Sequence, residues 1–426
     1  MKKIKLLTLA LVFAMCLTML AGCGGGKDDA GTEAANTPDI TDASSTAAGA
    51  PDEKDDDDSS ESSDGDTIKV GILAPKTGSS AQYGLSVRNG AAMFFDQLNE
   101  EGGINGKQVE YIEYDEEGDP AKAVTGYNSL VDQGVTALIG DVTTIPTLAV
   151  VPEAYADNMP MITASATNAD VTYDEASDTL YSNVFRSCFI DPFQGEKMAR
   201  FADEILEAKT AAVLYNIDDD YSTGVQEAFA ATAEELGMEI VASETFSTNA
   251  VDFQGQLTNI GSKEPDILFV PVYYSDIALI AEQARGAGME MPMLGVDGWD
   301  TVLNVVNDPE VVEGSYYSSG YSAEEDTQEI NKFLEDYTAK YNEEPSMFAA
   351  QGYDAAMILS EALKAAEDEG LEAGSEDYKQ AVIDAMKATD MQCVTGNITY
   401  DEYNNPEKEA AIINIKDGEP KFWGKF

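Results

Sequence analysis

From residue 68 onward, short apolar runs alternate with amphipathic stretches, and this alternation limits the possible folds more than any other feature of the chain. Residues 68–73 read as a strand. A helical stripe of Ala91, Ala92, Phe94, Phe95 and Leu98 follows over about 86–101 and stops at Gly102-Gly103. Residues 108–114 alternate as a strand does. Asp119-Pro120 then reads as an N-cap with proline at the first helical position, opening a helix to about 132. Strands at 136–140 and 160–163 flank a helix at 146–156. The pattern restarts after about 186. Asp191-Pro192 repeats the cap signal for a helix to about 208, followed by strand 211–215, helix 223–236 ended by Gly237, and strand 239–246. Helix 252–260, strand 266–270, helix 275–287 and strand 293–296 continue it. Helices at about 326–342, 348–369 and 376–388 and strands near 394–400 and 409–415 follow, with no local signal for which half they join. Repeated βα units need a parallel sheet covered by helices on both faces, because each crossover returns over the sheet. The expected fold class is therefore α/β, with two Rossmann-like lobes built on parallel sheets.

Charge and residue usage exclude several functions. The 426 residues include 25 Lys and Arg, 79 Asp and Glu and no histidine, for a net charge of −54. Such a polyanion repels phosphate backbones, so nucleic acid is not an expected partner. Without imidazole there is no Ser-His-Asp triad, no Cys-His dyad and no His-ligated metal. No acidic loop with calcium-binding spacing is present, so no metal and no cofactor are expected. The acidity is not confined to a tail: residues 67–426 carry sixty-five acids against twenty bases, a net −45. A solvated, soluble surface accounts for it.

The first residues address the chain to a membrane surface. Lys2, Lys3 and Lys5 precede an almost unbroken apolar run over 6–20, too short for an ordinary span and shaped like a signal-peptide core. Leu20-Ala21-Gly22-Cys23 follows and resembles the bacterial lipobox, in which the cysteine is acylated and becomes the mature N-terminus. Residues 1–22 are thus expected to be a signal peptide, with lipidation at Cys23. Residues 23–66 are rich in Gly, Ser, Thr, Ala and Asp, include the run Asp55–Asp58, and bury nothing; they are expected to be a lipid-anchored, disordered acidic linker. Cys188 and Cys393 remain in the folded part, and the sequence leaves open whether they pair.

In open parallel sheets ligands bind beyond the carboxyl ends of strands. The segments there are 74–84, 141–144, 164–168, 218–221, 271–274 and 296–299. Three offer hydroxyls and backbone N–H groups near helix starts, suited to a carboxylate. Others offer the rings of Tyr83, Tyr221, Tyr273 and Trp299, and one offers the acid Asp297. Hydroxyls and amides for −COO⁻, a carboxylate for −NH₃⁺ and an aromatic wall together describe a receptor for a free amino acid.

Several short motifs add to this. Residues 68–74, Thr77-Gly78, Gln82-Tyr83-Gly84, Asn89-Gly90-Ala91 and Glu101 through Gly106 resemble the opening of the branched-chain amino acid (Leu/Ile/Val) binding proteins of ABC importers. Tyr114-Asp115, Asp119-Pro120, Ala166-Thr167-Asn168, Gly352-Tyr353-Asp354-Ala355 and Gly396-Asn397-Ile398 are similar to the same family, so the likeness covers nearly all of 67–426. The resemblance implies a type I periplasmic binding protein fold: two α/β lobes joined by a three-strand hinge, with crossovers near 186–190, 316–321 and 408–412. Lobe 1 would comprise 67–187 plus 320–409, and lobe 2 would comprise 188–319 plus 410–426. It implies that Thr144 contacts the ligand carboxylate, that Ser165, Ala166 and Thr167 form the loop touching both carboxylate and ammonium, and that Asp297 faces the ammonium. Tyr83, Tyr221 and Tyr273 stand at its aromatic or hydrogen-bonding ligand positions. The partners implied are a small apolar amino acid, ABC permease subunits and the membrane through lipid, with the protein a monomer outside the cytoplasmic membrane. Three departures bear on the ligand's side chain. Thr143 stands where the family's lobe 1 disulfide needs a Cys, Asp297 replaces the commoner Glu, and Lys76 brings a cation to the cleft mouth.

Two other readings stay open at this level. An enzyme of amino-acid or amide metabolism would need a nucleophile–base pair or metal cluster, and none stands out, so no catalytic residue is assigned. A sensing lipoprotein could hand its ligand to a receptor, and the same scaffold also serves amides and aromatic acids.

Overall fold

The computed structural model describes residues 67–426. The expected signal peptide, the lipidation site Cys23 and the linker lie outside the described residues. No described helix is long and apolar enough to cross a membrane.

The first half runs β1 (Thr67–Ala74), α1 (Ala81–Glu100), β2 (Gln108–Asp115), α2 (Pro120–Asp132), β3 (Ala137–Ile139), α3 (Thr144–Ala156) and β4 (Met161–Thr163). A small hairpin of β5 (Tyr173–Asp174) and β6 (Thr179–Leu180) precedes β7 (Val184–Arg186). These strands make a five-stranded sheet in the order β2-β1-β3-β4-β7, every pair parallel, from which the hairpin stands apart. The second half continues with α4 (Asp191–Glu204), β8 (Thr210–Asn216), α5 (Asp220–Leu236), β9 (Glu239–Phe246), α6 (Gln254–Gly261), β10 (Ile267–Phe269), α7 (Tyr274–Gly286), β11 (Met293–Gly295) and β12 (Tyr316–Ser319). Then come α8 (Gln328–Tyr341), α9 (Met347–Asp368), α10 (Glu376–Lys387), a hairpin of β13 (Asp390–Cys393) and β14 (Gly396–Thr399), β15 (Ala411–Lys416) and β16 (Glu419–Lys425).

The second sheet has seven strands in the order β16-β15-β12-β11-β10-β8-β9. It is parallel from β9 through β12, with β15 and β16 added antiparallel. Two α/β lobes result, one on each sheet. Tertiary packing decides what the local pattern leaves open. Helix α9 lies along α1 and against β3 and β4 of the first sheet, whereas β15 and β16 extend the second.

The α1–α9 contact is close enough to dictate residue type. A Cβ on Gly90 would sit 1.9 Å from the Ala349 carbonyl oxygen, and one on Gly352 would sit 2.3 Å from that of Val87. Only glycine fits where the two backbones approach this closely.

Most expected elements are present, with instructive shifts. Asp119 caps α2 through its side chain, accepting from the Ala121 and Lys122 N–H groups, with Pro120 at the first helical position. Asp191 does not repeat this. Helix α4 is capped by Ile190 without a side-chain bond, and Asp191 lies in its first turn. Helix α1 begins at Ala81, which places Tyr83 in its first turn. Strands β7, β12 and β16 carry no strong alternation and are held by pairing with neighbours remote in sequence.

Candidate functional site

The strand orders place the site. In the first sheet the connections leave β1 toward β2 and return past it to β3, so the crevice lies between the loops after β1 and β3. In the second sheet the same reversal lies between β8 and β10. The first turns of the helices after β1, β3 and β8 carry Tyr83, Thr144 and Tyr221, Tyr273 caps the helix after β10, and the segments after β4 and β11 supply 165–167 and Asp297.

A cavity of about 440 Å³ lies between the lobes. The first lobe lines it with Ser79, Ser80, Thr143 and Ile145, and the second with Asp219, Tyr273 and Asp276 among others. Of the expected site residues, Tyr273 lines it directly, and Thr144 sits between two residues that do. Tyr83, Ser165, Ala166, Thr167, Tyr221 and Asp297 are not among its lining residues; all six are buried.

The rings form a stack across the seam. Tyr221 and Tyr273 lie parallel at 4.8 Å between centroids, and Tyr83 meets Tyr273 edge-on at 5.8 Å. The Tyr83 hydroxyl donates to the Gly298 carbonyl at 2.6 Å and accepts from the Tyr274 N–H at 3.0 Å. Both capacities are spent on the opposite lobe, so Tyr83 acts as a clasp between lobes. Asn168 adds a second bridge, its side-chain N–H donating to the Asp220 carbonyl at 3.1 Å. Trp299, an aromatic tip in the sequence, is a core residue whose indole N–H donates to the Val270 carbonyl at 2.8 Å.

Asp297 opens a short 3₁₀ turn after β11. Its Oδ1 accepts from the Tyr221 hydroxyl at 2.7 Å, and its N–H donates to Gln194 Oε1 at 3.0 Å. Burial pushes its carboxyl up to about 6, against the pull of Tyr221, Gln194 and the Gly298 N–H. The loop at 163–167 is held from beneath. The Thr163 hydroxyl donates to the Asp141 carbonyl at 2.5 Å, and that of Ser165 to the Val142 carbonyl at 2.8 Å. The Ser165 hydroxyl is thereby occupied by the fold. The Thr144 hydroxyl, by contrast, is buried with no hydrogen-bond partner.

Sequence reasoning missed three residues. Asp191 is completely buried, and neither carboxylate oxygen has a partner in normal geometry. Burial pushes its carboxyl well above the usual range, the Thr167 hydroxyl opposes this, and the charge of Asp297 adds to it. The signal lay in its position just beyond β7, a strand hidden by ending in a charged residue. That residue, Arg186, is also buried. Its guanidinium donates to the carbonyls of Ala166 at 2.9 Å and Asn168 at 3.0 Å and so shapes the ligand loop. Gln194 ties Asp297 to β12 by also accepting from the Ser318 hydroxyl at 3.3 Å. The structure adds to two readings of the sequence. The Lys76 ammonium pairs with Glu113 at 2.9 Å. Cys188 and Cys393 are both free thiols, buried in the fold.

The arrangement can surround a small solute with hydroxyls, buried carboxylates and stacked rings. A sequence profile described as periplasmic binding protein matches residues 67–420. The leucine-, isoleucine-, valine-, threonine- and alanine-binding protein of Pseudomonas aeruginosa is 29% identical over 338 residues, covering 79% of this chain and 86% of that protein. The crystal structure of a branched-chain amino acid transporter substrate-binding protein from Streptococcus pneumoniae, in complex with isoleucine, superposes with a TM-score of 0.76 at 32% identity, covering 84% of this chain and 98% of that one. A leucine-binding protein from Thermotoga maritima superposes equally well, with a TM-score of 0.76, 30% identity and the same shares of each chain.

Proposed function

The chain belongs to the periplasmic binding protein family, and from that premise we propose that it captures a small α-amino acid, branched-chain or otherwise apolar, between its lobes and delivers it to an ABC importer. The observation that carries the reading is a pair of buried carboxyl groups, Asp191 and Asp297, close enough to influence one another, together with the buried, unpartnered hydroxyl of Thr144. The acids suit an ammonium. Thr144 and the backbone of 165–167 suit a carboxylate. A simple aromatic acid would set its carboxylate beside two buried acids and bring no ammonium to them, so the acids favour an amino acid over that alternative.

The energetics fit. A micromolar Kd is about −8 kcal/mol, and a ligand of leucine's size then needs close to 1 kcal/mol per heavy atom, below the ceiling of about 1.5. Burying the side chain contributes about 1.5–3 kcal/mol, and charge-assisted bonds in a closed cleft supply the rest.

The hinge of this reading consists of crossovers near 186–190, 316–321 and 408–412. They join lobe 1 (67–187 plus 320–409) to lobe 2 (188–319 plus 410–426), and closure around the ligand follows the hinge mode. The protein works outside the cytoplasmic membrane as a monomer, anchored by lipid on Cys23 and set off from the bilayer by the acidic linker, and it performs no chemistry on its ligand. Cys23→Ser should release it from the membrane fraction.

A thermal-shift screen against the twenty amino acids, simple amides and benzoate tests the central claim, because a ligand that binds only the folded state raises the melting point. An aliphatic α-amino acid should give the largest shift. A response confined to benzoate or amides would overturn the assignment.

A further inference from the structure

Glu116 and Asp141 are both completely buried, and neither lines the cavity between the lobes. Glu116 follows β2 and Asp141 stands just beyond β3, the two strands that flank β1 in the first sheet. Their side chains come within hydrogen-bonding reach of each other at the carboxyl edge of the sheet. One oxygen of each is satisfied by backbone: Glu116 Oε2 accepts from the Gly118 N–H, and Asp141 Oδ1 from the Val142 N–H at 2.5 Å. The others, Glu116 Oε1 and Asp141 Oδ2, have no donor in normal hydrogen-bond geometry.

Two ionised carboxylates can only accept, so as a pair of anions they would be left unsatisfied and repelling one another. A single proton converts the two orphan oxygens into one O–H···O⁻ bond. The surrounding charge favours keeping that proton. Burial raises both groups. Asp115, the preceding residue on β2, adds a further negative charge. The nearby cations are engaged elsewhere, Lys76 and Arg88 with Glu113 and Lys122 with Glu117.

The pair sits beneath both ligand loops of the first lobe. The Asp141 carbonyl receives the Thr163 hydroxyl, the next carbonyl receives that of Ser165, and the chain then runs directly into Thr143 and Thr144. We propose that Glu116 and Asp141 share one proton and thereby serve as positioning residues for the loops at 141–144 and 163–167. The role of those loops in binding rests on the function proposed above; the shared proton does not.

The sign follows from linkage. A carboxyl raised in the folded state contributes stability that is fully present below the ordinary carboxylate range and is lost as pH rises from that range through the raised value, about 7 for Glu116. Glu116→Gln should remove the dependence. Its amide oxygen can accept from the Gly118 N–H while its NH₂ donates to Asp141 without any shared proton. Melting the ligand-free protein between pH 6 and 8.5 should show the wild type losing about 5 °C relative to E116Q across that range. Titration with L-isoleucine should show wild-type affinity falling about tenfold over the same range while E116Q stays level. Parallel melting profiles would overturn the proposal. If E116Q does not fold, Asp141→Asn makes the same comparison. Failure of isoleucine to bind at any pH would count against the proposed ligand, and the melting profiles would still decide the shared proton.

Discussion

The Tyr83 hydroxyl on α1 donates to the Gly298 carbonyl across the seam at 2.6 Å, so a side chain of the first lobe is fastened to the backbone of the second. The same oxygen accepts from the Tyr274 N–H, and the ring stacks on Phe348 at 4.1 Å. One buried oxygen thus helps determine whether the lobes stay closed.

Tyr83→Phe keeps the packing and removes both bonds, leaving the Tyr274 N–H without an acceptor. Losing buried partners of this kind costs about 1–3 kcal/mol, and the cost falls on the closed state. Ligand affinity should weaken by roughly five- to a hundredfold. Small-angle scattering of the ligand-free variant should show a larger radius of gyration. Calorimetry with unchanged affinity would show that the clasp does not control closure.

Asp191→Asn should have opposite effects on stability and binding. A completely buried carboxyl with no partner in normal hydrogen-bond geometry destabilises the ligand-free fold at neutral pH, because its pKa is raised above that of the unfolded chain. The neutral amide relieves this, so the melting point without ligand should rise. Affinity for α-amino acids should fall at least about tenfold, the trade-off of residues kept for function. A variant that is less stable and binds normally would make Asp191 structural.

Binding should also weaken in acid. With its carboxyl pushed up to about 6, Asp297 is ionised at neutral pH and becomes protonated below that value. An ammonium needs the ionised form, so affinity should fall as pH drops from 7 to 5. Titrations across that interval check the direction, and Asp297→Asn should bind weakly throughout with a flatter profile.

Gly90→Ala tests the helix contact. Its Cβ would stand 1.9 Å from a backbone oxygen of α9, so the helices must separate. Overpacking of this kind costs about 1–3 kcal/mol. Thermal melting should register the loss, and Gly255→Ala in α6, where no atom lies within 4 Å of the added Cβ, serves as a comparison for the added methyl alone.

Much of this protein was legible in order along the chain. The alternation of strand and helix, the cap at Asp119 with Pro120, and the strand-end loops bearing Tyr221, Tyr273 and Asp297 follow from local periodicity and turn chemistry, which neighbouring residues carry by themselves. What lay outside local reach was decided by partners far away in sequence. Asp191-Pro192 carries the same cap signal as Asp119-Pro120, yet Ile190 takes the cap position and leaves the Asp191 carboxylate buried and unsatisfied near Asp297. Tyr83 reads as a ligand contact until its hydroxyl is found bound to Gly298, more than two hundred residues later. Glu116 and Asp141 are ordinary acids until two strands of one sheet bring them together. Sequence determined the elements because backbone propensity and hydrophobic period act over a few residues. Only the tertiary structure decided which polar atoms are left without partners, because that depends on what the folded chain brings against them.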